Sequence, residues 1–183
     1  QFIRDTNPEA TEVHMVGGVW PALGYEYFLD ILRAAKRGRP EIHVKAYTMV
    51  EIDEIVRLSK KSLAEVLTDL KEAGLDSMPG GGAEIFSERL RAELYPKKMG
   101  AERWLELAEG IHKEGFRTNC TMLYGMTETL EERVDHLSRL RTLQDKTGGF
   151  QTYIPLAFHP DNTPELSHLP YPGPTQRLRS IAI

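Results

Sequence analysis

Three consecutive glycines, Gly80, Gly81 and Gly82, stand two residues before Glu84. A glycine run lets a ligand approach the backbone and offers N–H and C=O groups directly. A carboxylate just beyond it can accept hydrogen bonds from ribose hydroxyls. Related combinations recur along the chain: Gly17-Gly18, Glu51 shortly after Lys45 and Thr48, Gly125 ahead of Glu128, and His159 ahead of Asp161 and Asn162. These types point to a ligand held by backbone groups and carboxylates. Plainer readings stay open, since Gly17-Gly18 also suits a turn and Glu51 and Glu84 also suit a helix first turn, where the macrodipole favours acids. The run matches neither the Gly-Lys-Ser/Thr phosphate loop nor G-x-G-x-x-G, which disfavours a phosphate-binding enzyme. His14 and His43 read as packed or surface residues, and Cys120 as a small buried side chain. His159 alone is weak evidence for a metal.

These residues need elements to position them, and strand-like and helix-like stretches alternate along the chain. Strands are expected at Glu12–Val16, Glu41–Met49, around Leu75–Met78, at Arg117–Tyr124 and at Phe150–Phe158. Helices are expected at Tyr25–Gly38, from Ser62 to Gly74, over Ala83–Leu94, over Ala101–Gly115 and after Thr129. Ser62 with Glu65 and Thr129 with Glu132 have the spacing of capping boxes. The proline-rich tail from His159 reads as a loop before a final helix near Thr175. About five βα units of this spacing imply parallel strands with helical crossovers. A doubly wound sheet and a TIM-like barrel both fit, and both place ligands at the carboxyl ends of the strands. The glycine and carboxylate positions fall there.

The 183 residues allow one domain with a real core, and the net charge of −4 argues against a nucleic-acid surface. No apolar run has membrane-spanning length, and a single cysteine excludes an intrachain disulfide. The expected setting is cytoplasmic, with no membrane partner.

The stretches VHMVGG, HVKAYTMVEI, AGLDSMPGGGAEIF, ERWLE, TNCTMLYG, RVDHLSRLRTLQDKTGGFQ and IPLAFHPDNT together resemble the radical S-adenosylmethionine enzymes of the futalosine pathway to menaquinone. KAYTMVEI and IPLAFHP favour the aminofutalosine synthases over the dehypoxanthine futalosine cyclases, and the cyclase or an FO synthase-type reaction is the alternative within the family. The resemblance implies a partial TIM-like (β/α) barrel covering family strands two to six. It also implies S-adenosylmethionine, a [4Fe-4S] cluster in the full-length enzyme, and a reductant such as ferredoxin or flavodoxin. The implied substrate is the chorismate-derived 3-[(1-carboxyvinyl)oxy]benzoate, to which the adenosyl radical adds to give aminofutalosine.

Carried over by position, Gly17 and Gly18 meet the methionine amino group, and Val19 stands where the family has a carboxylate. Gly80, Gly81 and Gly82 leave room for the adenosyl group, Glu84 binds the ribose, and Lys98 reaches the methionine carboxylate. The resemblance likewise implies that Gly125 and Glu128 lie beside the adenosyl group and that Glu51 and His159 face the substrate. The family's Cys-x3-Cys-x2-Cys loop is absent from these residues, and three thiolates are needed to hold the cluster. The expectation is therefore an inactive internal piece of a longer enzyme, truncated at both ends and prone to self-association through open sheet edges. A non-catalytic binding module derived from the barrel is the alternative.

Overall fold

In the computed structural model, residues 7–18, 20, 22–161 and 163–182 are described; Val19 and Asn162 lie outside them. Five strands run parallel in the order β1-β2-β3-β4-β5: β1 Glu12–Met15, β2 His43–Ala46, β3 Ser77–Met78, β4 Arg117–Tyr124 and β5 Phe150–Ala157. The helices between them are α1 Tyr25–Gly38, α2 Met49–Ser59, α3 Leu63–Ala73, α4 Glu88–Leu94, α5 Ala101–Lys113 and α6 Leu130–Thr147. A 3-10 turn at Pro164–Leu166 and α7 Pro174–Ala182 follow. Strand order equal to chain order, with crossovers of one hand, keeps the helices on one face, as in a barrel and not in a doubly wound sheet.

The apolar spacing explains that layer. On α1, Phe28, Leu29, Leu32 and Ala35 form one buried stripe. They join Ile52 and Ile55 of α2, Leu67 and Leu70 of α3, and Trp104, Leu107 and Ile111 of α5 against Val44, Ala46 and Met78 of the sheet. A smaller cluster of Ile85, Leu90, Met122 and Tyr124 fills the space under α4 and α6.

One helix, α2, is not expected from the sequence, and another begins later than expected, each for a local reason. The second strand ends at Ala46, because Tyr47 turns to φ 62° and Thr48 caps α2 in a reciprocal box with Glu51. The helix expected from Ala83 begins only at Glu88. Glu84 sits at φ 46°, outside helical space, and Ser87 supplies the cap by accepting the Leu90 N–H. The segment Ala83–Ser87 is thus an irregular bridge between the glycine run and α4.

Candidate functional site

At the end of β1, the Gly17 N–H donates to Glu51 Oε1 at 3.0 Å. The other carboxylate oxygen, Oε2, accepts from the Thr48 N–H at 2.8 Å and its hydroxyl at 2.9 Å. Glu51 is buried, and both of its oxygens are spent on holding the β1 end to the start of α2. An expected substrate-side residue is thereby found with a structural occupation. A Cβ added at Gly18 would meet no atom within 4 Å, so the backbone is open there. A cavity of about 340 Å³ begins at these glycines and is walled by Trp20, Tyr27, Tyr47 and Glu51.

Packing accounts for two of the three glycines at the β3 end. A Cβ on Gly80 would lie 2.0 Å from the Asn119 carbonyl oxygen, because the chain crosses β4 in direct backbone contact. Gly82 has φ +90°, and its Cβ would lie 2.6 Å from Val50 Cγ2. The run is pinned as well as slim: Thr121 Oγ1 donates to the Gly80 carbonyl at 3.0 Å and Trp104 Nε1 to that of Gly81 at 3.3 Å.

Glu84 follows in left-handed backbone, its carbonyl accepting the Leu123 N–H at 2.7 Å. Its carboxylate forms a close ion pair with Lys98, which lies in the chain after α4. Two positions expected at one ligand are therefore adjacent. A non-glycine residue held at positive φ costs on the order of 1 kcal/mol or more, and such strain is concentrated at functional sites. Lys98 also lines a cavity of about 360 Å³ with Gly82, Arg91 and Arg139.

Beyond β4, Glu128 closes the turn. Its carboxylate accepts the N–H groups of Gly125 at 2.5 Å and Met126 at 2.8 Å, and pairs with Arg133 at 2.5 Å. Its side chain is fully buried, and the Arg133 guanidinium lies over the Tyr124 ring. With its carboxylate so occupied, Glu128 shapes the turn at Gly125, against which Pro172 packs: a Cβ there would lie 2.2 Å from Pro172 Cγ. After β5, His159 is exposed, 3.8 Å from Asp161 and edge-on to the Tyr171 ring. No other candidate residue is paired with it among the described residues.

A model of the family described as the Radical SAM superfamily matches residues 2–140. The chain belongs to the radical SAM superfamily. It is 48% identical over 179 residues to the aminodeoxyfutalosine synthase of Thermus thermophilus, covering 96% of this chain and 48% of that protein. It is 42% identical to the 5-amino-6-(D-ribitylamino)uracil--L-tyrosine 4-hydroxyphenyl transferase of Methanopyrus kandleri, covering 85% of this chain and 42% of that protein. The chain thus spans about half the length of the curated relatives it matches. Among solved structures, methylornithine synthase shares the fold at a TM-score of 0.62 and 15% identity, covering 98% of this chain and 52% of that one. The partial radical SAM barrel expected from the sequence is the fold observed.

Membership in the radical SAM superfamily implies S-adenosylmethionine and a [4Fe-4S] cluster. The strand-end residues fit the first: open backbone at Gly18, a partly exposed carboxylate on Glu84 and a basic group beside it. They do not fit the second. Cys120 is the only cysteine; it is buried in β4 with its Sγ directed at the Thr152 carbonyl, and burial pushes its thiol up to about 12. Among the described residues no group of three or more His, Cys, Asp or Glu is placed to hold a metal ion, nor is any helix long and apolar enough to cross a membrane.

Sequence reasoning did not single out His136, Trp104 or Arg133, although each braces a strand-end segment. His136 Nδ1 accepts the Phe86 N–H at 3.0 Å, and its Nε2 lies 3.0 Å from the Thr121 carbonyl, which fixes the proton on Nε2. The sequence signal was available in one respect: a histidine on the apolar side of α6 needs polar partners.

Proposed function

We propose that the protein is an aminofutalosine synthase, joining the adenosyl group of S-adenosylmethionine to the enolpyruvyl group of 3-[(1-carboxyvinyl)oxy]benzoate, with methionine released and one carboxylate lost by decarboxylation. The observation that carries this reading is the 48% identity, over 96% of the chain, to a protein named aminodeoxyfutalosine synthase. The geometry supports it at the cofactor. Gly18 offers open backbone to the methionine end, beside Gly17 whose N–H is held by Glu51; Glu84 accepts from the ribose hydroxyls, and Lys98 is the basic group for the methionine carboxylate. Of the other glycines, Gly81 is the one left to face the adenosyl group, since Gly80, Gly82 and Gly125 are packed against Asn119, Val50 and Pro172.

In this reading the whole protein carries the cluster on thiolates outside these residues and draws electrons from a ferredoxin- or flavodoxin-type donor. Bound together, the cluster and S-adenosylmethionine supply the adenosyl radical. The residues described here bind and orient the reactants. The test is anaerobic incubation of the whole reconstituted protein with S-adenosylmethionine, reductant and the enolpyruvyl benzoate. Aminofutalosine is expected in the wild type and strongly reduced in Glu84→Gln.

A second reading has its own support in the 42% identity to the Methanopyrus transferase. In that case the substrates are tyrosine and 5-amino-6-(D-ribitylamino)uracil on the same barrel. Product analysis separates the two.

A further inference from the structure

The face of the sheet opposite the helices is unusually polar in its first three strands. Val13, Met15, Val44 and Ala46 pack toward the helices, so strand alternation places Glu12, His14, His43 and Lys45 together on the concave face. The register sets Glu12 beside His43, His14 beside Lys45, and Lys45 beside Ser77. The interior of an ordinary (β/α) barrel is filled at this level by branched apolar side chains. Here it holds a carboxylate, two imidazoles, an ammonium and a hydroxyl.

Lys45 is the anomaly within that group. It is 9% exposed, yet among the described residues its three N–H donors find one acceptor, Glu12 Oε1 at 3.4 Å. That is long for a charge-assisted bond, which is normally about 2.7–2.9 Å. Glu12 is shared: it also bonds His14 and lies 3.6 Å from His43. Burial pushes the Glu12 carboxyl up, but the His14 hydrogen bond and the Lys45 charge outweigh this and hold it below its ordinary value. Glu12 is therefore the anion that fixes the cluster, and it leaves most of the Lys45 hydrogen-bonding capacity unused. A nearly buried ammonium with unmet donors is unfavourable unless an anion completes it. His43, bonded to Ser77 Oγ at 2.7 Å, stands two residues away on the same face.

We propose that Lys45 anchors a carboxylate of the substrate on the concave face of the barrel, with Glu12 as the residue that positions its ammonium. Lys45 lies one residue, about 3 Å, below the last strand residue, Ala46. A molecule held there by its carboxylate extends upward toward Glu84 and the glycine run. Across the sheet, Ile154 and Leu156 occupy the concave positions in register with Thr121 and Leu123 and offer an apolar wall to a ring. The ligand class is a small aromatic or enol-ether carboxylate. This inference rests on the proposed function, whose substrate carries two carboxylates.

The test uses the whole protein and the variants Lys45→Met and Lys45→Arg, with two readouts. In turnover, Lys45→Met is expected to raise KM for 3-[(1-carboxyvinyl)oxy]benzoate roughly tenfold to hundredfold, the range for losing a hydrogen bond to a charged group. Its affinity for S-adenosylmethionine should stay within about twofold of wild type, and Lys45→Arg should recover most of the loss. An unchanged KM in Lys45→Met overturns the proposal. In the second readout, benzoate is titrated by calorimetry without turnover. Wild type should bind it and Lys45→Met should not, whereas equal binding by both, or none by wild type, overturns the proposal. If wild type makes no aminofutalosine, the proposed function fails while the benzoate titration still decides the Lys45 site. Should Lys45→Met fail to fold, Glu12→Gln replaces it, with weakened benzoate binding expected and unchanged binding counting against the site.

Discussion

His136 and Phe86, fifty residues apart, are joined by a hydrogen bond of 3.0 Å from the Phe86 N–H to the imidazole Nδ1. This bond hangs the irregular segment that carries Glu84 on helix α6. It also requires a neutral ring. Burial pushes His136 down to about 4, and burial, with the Arg117 charge, does the same to His112. In the unfolded chain both titrate near 6.5. As pH falls below that value the unfolded state takes up protons first, so stability is full above about pH 6.5 and declines toward pH 4. Urea titrations across this window should show the decline, and His136→Gln should flatten it. A stability that is level from pH 6.5 to 4 would contradict the assignment of two buried neutral histidines.

Glu84 separates binding from folding because its strain and its carboxylate are different properties. Its φ of 46° suits glycine. Glu84→Gly should therefore leave thermal stability unchanged or raise it by up to about 1 kcal/mol. In the whole protein it should weaken S-adenosylmethionine at least tenfold. Calorimetry on the variant and wild type checks both halves, and retained affinity would remove Glu84 from the site.

The Glu128–Arg133 pair has the opposite character. The Glu128 side chain is fully buried and serves two backbone N–H groups as well as Arg133. Glu128→Ala strands a buried guanidinium and should cost about 3–5 kcal/mol. The double variant Glu128→Gln, Arg133→Met should be less destabilised than the sum of its parts. Denaturant midpoints for the four proteins of the cycle measure the coupling.

Two glycines give contrasting substitutions. Gly80→Ala drives a methyl group into the Asn119 carbonyl and should prevent native folding or lower the melting temperature by 10 °C or more, on the order of several kcal/mol. Gly18→Ala meets nothing within 4 Å and should fold normally. Any loss it shows should be confined to S-adenosylmethionine binding. Equal melting temperatures for the two variants would contradict the packing described at β3.

Much of this was legible in the residues. The capping boxes at Ser62 and Thr129 placed two helices, and the strand-end glycines and acids lie, as expected, just beyond the carboxyl ends of the strands. A third box, Thr48 with Glu51, carried the same signal, but the apolar run through Met49 obscured it as an extended strand. The division of labour among the carboxylates was not legible. Glu51, Glu84 and Glu128 each follow a strand, but only tertiary contacts show that the first and third are occupied by backbone N–H groups while the second pairs with Lys98. The alternation His43, Val44, Lys45, Ala46 held the concave-face information. Its meaning depended on knowing that the helices cover a single side.

The central claim is the choice of substrate, and one competition measures it. The whole reconstituted protein is incubated anaerobically with S-adenosylmethionine, reductant, 3-[(1-carboxyvinyl)oxy]benzoate, tyrosine and 5-amino-6-(D-ribitylamino)uracil, and the products are resolved by mass spectrometry. Aminofutalosine with no 4-hydroxyphenyl transfer product is the expected result. Consumption of tyrosine with no aminofutalosine would contradict it.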